Sequence, residues 1–300
     1  MINDVSIIIV NYNTRQMTNE CIDSIINYTN GLNYEIILVD NGSSDGSKEF
    51  FEKKEGIIYI YSDENLGFGR ANNIGAEIAK GEFIFFLNSD TLFVEDSLSK
   101  LYNFYVLNEK NLKIGVLGAI MVDEKGCING FGDTFPTILK IRYKLFRKIP
   151  FFFNFVKMEN KHIYDTSKTY FKVDYVLGAD MLIRKALFKK VMGFDPNYFM
   201  YYEESDLQLR LAELKYINYI LTTTKIIHFE GGSVKTERKK SNFKREVVHS
   251  SEIYYVKKNF NFIYNKFKIF DRLWLLINIF NYNYSFKENT DYIKKIWSKY

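Results

Sequence analysis

Cysteine is scarce in this chain: Cys21 and Cys127 are the only two, which excludes a disulfide framework as the source of stability. Long apolar runs are missing as well. The longest near the C-terminus, LWLLINIF at 273–280, is far short of the about 20 residues a membrane-spanning helix needs. The opening MINDVSIII lacks the basic-then-apolar order of a signal peptide, so the expectation is a cytoplasmic protein. No nucleic-acid motif accompanies the lysines and arginines, and no internal repeat is present. Charge of one sign is in modest excess, +5 over 300 residues, and its clusters, KTERKK and NFKRE, fall after residue 234. What the chain does have is apolar residues, 47% of the total, enough for one large core or a domain with a smaller extension.

The first half alternates between two periodicities. VSIIIV (5–10), YEIILV (34–39), IIYIY (57–61), FIFFL (83–87) and IGVLGAIM (114–121) are short and apolar on successive residues, the signature of strands covered on both faces. Between them, Met17, Cys21 and Ile25 recur at helical spacing, and ANNIGAEIAKG reads as a helix stopped at Gly81. This order predicts an α/β fold, a mainly parallel sheet flanked by helices. A domain over 1–234 is expected, interrupted at 131–168 by an aromatic and basic insertion without regular strands. A basic, aromatic helical extension over 235–300 follows.

In such sheets ligands bind beyond the carboxyl ends of the strands, and the polar residues fall there. Asn11, Tyr12 and Asn13 follow the first strand, Asp40 the second, Asn65, Gly67 and Phe68 the third, and Asn88, Ser89 and Asp90 the fourth. Each has two readings. Asp90 can bind a divalent cation, or Asn88–Asp90 can cap a helix at 95–107. Asp40 can accept from a nucleobase N–H, or shape a strand-to-helix turn. His228, opening HFEGG, is a metal ligand or a structural histidine. Glu203, Glu204 and Asp206 begin a helix, EESDLQLRLAEL, where they compensate its dipole or supply a general base. Glu203 and Asp206 share a helix face that Glu204 does not.

VSIIIVNYN, EIILVDNGSSDGS, NLGFGRANNIGAEIAKGEFIFFLNSDT, YVLGADMLIRKALFKKVMGFDPNYFMYYEESDLQLR and IIHFEGGS, in this order, resemble a family 2 glycosyltransferase of the Rossmann-like GT-A fold. Within that family the resemblance is to the rhamnosyltransferase-like enzymes of bacterial cell-surface polysaccharide synthesis. It implies an inverting transfer from a nucleoside-diphosphate sugar, dTDP- or UDP-linked, to a saccharide or lipid-linked glycan, with Mg²⁺ or Mn²⁺. Asn11, Tyr12, Asn13 and Asp40 would hold the nucleoside, with Asn65, Gly67, Phe68, Arg70 and Asn73 closing that side. Asn88 to Asp90 matches the family's Asp-x-Asp with Asn88 in place of the first acid. Asp90 and His228 would then be the protein's metal ligands and Glu204 the base, with Gly178, Ala179 and Asp180 on the acceptor side.

Two other classes stay in view. A catalytically impaired nucleotide-sugar-binding protein is favoured by Asn88. A sugar-1-phosphate nucleotidyltransferase is disfavoured because no early glycine-rich phosphate loop with a basic signature follows the first strand. LFRKIPFFFNF and the basic C-terminal helices suit a membrane interface, an aromatic packing surface or a dimer contact.

Overall fold

The computed structural model describes residues 3–141, 166–229 and 242–300. Its first half alternates as the periodicity predicts: β1 (Val5–Asn11), α1 (Arg15–Tyr28), β2 (Tyr34–Asn41), α2 (Ser47–Phe51), β3 (Ile58–Ser62), α3 (Phe68–Ile78), β4 (Phe83–Asn88), β5 (Thr91–Phe93), α4 (Ser97–Leu112) and β6 (Ile114–Val122). After the short β7 (Ile128–Gly130) and β8 (Gly132–Asp133) come β9 (Tyr170–Val173), β10 (Tyr175–Val176) and β11 (Asp180–Arg184). Then α5 (Lys185–Lys190), α6 (Glu203–Glu213) and β12 (Ile217–His228) complete the α/β unit.

The main sheet runs β3-β2-β1-β4-β11-β6-β12-β5. β1 pairs in parallel with both β2 and β4, and β6 with β12, while β11 lies antiparallel between β4 and β6. Alternation along each strand fills both faces. Ile7, Ile9, Phe83 and Phe85 join Cys21, Ile22, Leu98 and Tyr105 on one side. Ile8, Ile84 and Phe86 meet Ala71, Phe188, Phe194 and Leu207 on the other. With both faces dry, the cleft of the molecule opens beyond the ends of β1, β2, β4 and β12.

Two local expectations are revised. The helix of ANNIGAEIAKG ends at Ile78 and not at Gly81. Gly81 is instead required because a Cβ there would lie 2.4 Å from the Ser6 amide nitrogen. Asn88–Asp90 does not cap the following helix either: β5 intervenes, and the cap of α4 is Asp96, which accepts from the Ser99 N–H at 3.2 Å. In the 131–168 stretch, Gly132–Asp133 pairs antiparallel with Tyr175–Val176. The LFRKIPFFFNF segment lies outside the described residues.

The C-terminal part is helical: α7 (Asn242–Asn259), α8 (Asn261–Ile277) and α9 (Phe286–Trp297), the last opened by a Ser285/Glu288 capping box. Ile253, Val256, Phe267, Leu275 and Ile296 form its core together with Ile141. His249, Glu252 and Asp271 approach one another here closely enough to suggest a metal site. Both imidazole nitrogens, however, are engaged by Tyr292 (2.6 Å) and Asp271 (2.7 Å), and Glu252 accepts from the Tyr202 hydroxyl. The cluster acts as a buried hydrogen-bond network that pins α7, α8 and α9 together.

Helix α7 is knit to the segment leading into α6. Lys258 Nζ lies 2.7 Å from Asp195 and 2.8 Å from Asp206, the latter fully buried. The Tyr254 hydroxyl donates to Asp195 and Ser251 Oγ to the Met200 carbonyl. Burial alone would raise the Asp195 carboxyl, but Lys258 and Asn197 bring it down to about 2. Lys258→Ala would leave the buried Asp206 with Arg210 as its one cation among the described residues, and it is expected to lower stability by about 1–3 kcal/mol in denaturant unfolding.

Candidate active site

A cleft of about 760 Å³ opens at the polar strand ends. Tyr12 and Thr14 reach it from the turn after β1, Asn41 from the end of β2, and Asn65 and Phe68 from the start of α3. Asn88, Ser89 and Asp90 enter from the end of β4, and His228 from the end of β12. Gly178 and Ala179 form a wall beside Met200, Tyr201, Glu203 and Glu204, and Lys244 comes in from α7. Of the expected residues the structure thus brings together Tyr12, Asn65, Phe68, Asn88, Ser89, Asp90, Gly178, Ala179, Glu203, Glu204 and His228.

Asp90 and His228 meet because β12 runs antiparallel to β5, with His228 opposite Thr91. The Phe229 N–H donates to the Asp90 carbonyl at 3.0 Å. Their side chains are nearly buried, with His228 Nε2 3.3 Å from Asp90 Oδ1. Adjacent ligands of an octahedral ion with bonds of about 2.1 Å stand about 3 Å apart, so one carboxylate and one imidazole at this spacing fit a shared divalent cation. An imidazole beside a carboxylate favours Mn²⁺ over Mg²⁺, which prefers oxygen. Charge points the same way. Asp90, Glu203 and Glu204 line the cleft, and among the described residues Lys244 is the one lysine there, so a diphosphate beside these acids is served by a cation.

The two glutamates begin α6 after an unusual backbone. Tyr201 and Tyr202 both have left-handed φ, 70° and 72°, a strain of order 1–3 kcal/mol each that clusters at functional sites. The Tyr202–Glu252 and Ser251–Met200 bonds from α7 hold it in place. Glu203 is buried with Oε2 unpartnered. Burial, reinforced by the neighbouring Glu204 charge, pushes its carboxyl well above the usual range. Glu204 is half-buried at the cleft wall, and burial raises its carboxyl too, against the N–H groups of Glu204 and Ser205. Desolvation outweighs the helix end that was expected to favour the ionised form.

Eight expected residues stand outside this lining. Asn11 is fully buried: Thr14 and Thr18 donate to its Oδ1, and its Nδ2 donates to Ser43. Asp40, also fully buried, accepts from the Ser43 N–H and the Tyr59 hydroxyl, and Asn13 Oδ1 accepts from the Ser44 N–H. These three shape the loops that present Tyr12, Thr14 and Asn41. Gly67, Arg70 and Asn73 clamp the 194–199 loop instead. Arg70 Nε donates to the Pro196 carbonyl, Asn73 exchanges two bonds with Phe194, and Phe68 N–H donates to the Phe199 carbonyl. Asp206 lies in the Lys258–Arg210 network. Asp180 is buried within β11 and does not line the cleft. Its Oδ2 accepts from the Ala119 N–H, its Oδ1 is unpartnered, and burial pushes the carboxyl well above its usual value.

Thr14, Met200, Tyr201 and Lys244 line the cleft without having been singled out from sequence. Gly67 has φ 83°, and a Cβ there would sit 2.0 Å from the Phe199 carbonyl oxygen. Gly67→Ala is therefore expected to cost more than about 1 kcal/mol of stability. By shifting the Phe199–Glu204 segment it should also impair the site, checked by thermal unfolding alongside ligand binding.

A family model, Glycosyl transferase family 2, matches residues 6–191. The poly(ribitol-phosphate) beta-glucosyltransferase of Bacillus spizizenii is 36% identical over 122 residues, 39% of this chain and 19% of that protein. Rhamnosyltransferase WbbL of Escherichia coli K12 is 30% identical over 187 residues, 60% of this chain and 66% of that protein. The chain thus aligns with less than a fifth of the first of these relatives. Two solved structures share the fold at 16% identity. GalNAc-T7 with UDP, GalNAc and Mn²⁺ has a TM-score of 0.58 over 85% of this chain and 48% of its own. S. aureus TarS has 0.54 over 99% of this chain and 43% of its own. A mainly parallel sheet whose polar ends build one acid-lined cleft is the GT-A architecture of glycosyltransferases, and with the family model covering residues 6–191 the chain belongs to glycosyl transferase family 2.

Proposed function

We propose that the cleft transfers a sugar, with inversion, from a nucleoside-diphosphate donor to a hydroxyl of a saccharide or lipid-linked glycan in cell-surface polysaccharide synthesis. The observation that carries this is the Asp90–His228 pair, 3.3 Å apart, in the same cleft as Glu203 and Glu204. Asp90 and His228 would hold the divalent cation, with Asn88 and Ser89 beside them; the cation supplies the positive charge that a departing diphosphate requires. Glu204 accepts the proton of the acceptor hydroxyl as its oxygen attacks the anomeric carbon from the face opposite the diphosphate. The new C–O bond forms as the bond to the phosphate oxygen breaks. A carboxylate raised by burial suits this work, since once ionised it is a stronger base and takes the proton more readily. Phe68, Tyr12 and Tyr201 offer aromatic surface to base and sugar rings.

Among donors dTDP-rhamnose ranks first, on the similarity to WbbL. Thermal unfolding in a panel of dTDP- and UDP-sugars tests this, because a ligand at a hundred times its Kd stabilises by about 2.7 kcal/mol. One donor should raise the melting temperature with Mn²⁺ and do so far less after chelation. A panel in which no nucleotide sugar shifts the transition would contradict the proposal.

A further inference from the structure

Helix α8 has two apolar faces, and one of them is exposed. Phe267, Trp274 and Leu275 are buried in the C-terminal core. Phe262, Ile269, Leu273, Leu276 and Ile277, together with Phe280 in the short 3-10 turn that follows, lie within about a third of the helix circumference and form a stripe on the other side. Phe262 is 90% exposed, Phe280 84% and Ile269 64%. A surface helix of a water-bathed domain turns polar residues outward, so this stripe departs from the usual pattern. Charge selects what it meets. Residues 242–300 carry eleven Lys and Arg against five Asp and Glu, a net +6, while the whole chain carries +5. The excess positive charge of the protein thus lies in the C-terminal segment to which α8 belongs, even though Lys258 of that count is paired with Asp195 and Asp206. Lys266 lies within the stripe, on a stem long enough to place its ammonium at a headgroup.

A second copy of the chain would bring two such cationic surfaces together, whereas an anionic lipid surface complements both the charge and the apolar side chains. We propose that the exposed face of α8 docks in the plane of an anionic bilayer surface. Among the described residues no helix is long and apolar enough to cross a membrane, so the contact is interfacial. The docking rests on this surface alone. Its use, presenting the cleft to a lipid-linked acceptor, rests on the proposed reaction.

Flotation of the full chain with vesicles of phosphatidylcholine, with and without phosphatidylglycerol, tests it. The protein should float with the anionic vesicles and come off as salt is raised. A Leu273→Glu/Leu276→Glu variant should melt as the wild type does and retain donor binding, yet lose about tenfold or more of its vesicle affinity. Wild-type protein that stays unbound at low salt, or a variant that floats equally well, overturns the proposal. So does a wild-type dimer in analytical ultracentrifugation that the variant dissociates. Flotation without any donor binding would sink the reading of the cleft and leave the docking intact.

Discussion

Asp90→Ala is expected to lower transfer by on the order of 10³-fold or more, and to abolish the effect of Mn²⁺ on donor binding. The reason is the charge balance of the cleft. Without Asp90 a cation held there would lose the carboxylate beside His228, and a bound diphosphate would face Glu203 and Glu204 with Lys244 as the one lysine among the described lining residues. His228→Ala should act in the same direction but less severely, as a need for more Mn²⁺ and not as a loss of the maximal rate, since the carboxylate carries the charge. Rates of nucleoside diphosphate release, measured across a Mn²⁺ titration for the three proteins, check this. A chelated wild type that keeps its rate would remove the cation from the account.

Glu204→Gln is expected to lower transfer by about 10²–10⁴-fold with donor affinity nearly unchanged, because the amide keeps the shape and cannot take the proton. The pH dependence has a definite sign. A general base works ionised, so the rate falls as pH falls through its pKa. Burial raises the Glu204 carboxyl, so this acid limb should lie above the ordinary carboxylate range. The same burial has the opposite meaning for stability. Glu203 and Glu204 in the folded protein hold protons that the unfolded chain releases once pH exceeds the ordinary value, so stability drops as pH rises from there. Glu203→Gln, neutral at every pH, should therefore be more stable than the wild type at neutral pH while keeping more activity than Glu204→Gln. A Glu204→Gln enzyme that transfers at the wild-type rate would take the base role from it.

The strands were legible because a buried parallel strand leaves a nearly unbroken apolar run, and all five such runs became β1, β2, β3, β4 and β6. The strand-end rule was legible too: Tyr12, Asn65, Asn88 and Asp90 all reach the cleft. What could not be read was where a polar side chain spends its hydrogen bonds. Asn11 and Asp40 sit at strand ends as a ligand-binding residue would, yet their polar atoms are committed to Thr14, Thr18, Ser43 and Tyr59. Arg70 and Asn73, one and nearly two helical turns past Gly67, serve a loop more than 120 positions away. Lys244 follows 12 residues outside the described structure, and only the NFKRE charge cluster hinted at it. The left-handed Tyr201–Tyr202 pair had no signal, because tyrosine does not favour that backbone and tertiary contacts from α7 impose it.

The measurement closest to the central claim follows the anomeric proton by NMR while the preferred nucleotide sugar, Mn²⁺ and an acceptor glycan are mixed with the enzyme. Stoichiometric release of nucleoside diphosphate and a product of anomeric configuration opposite to the donor are expected, both lost in Asp90→Ala and in Glu204→Gln. A product that retains the donor's configuration, or diphosphate release that neither substitution reduces, would contradict it.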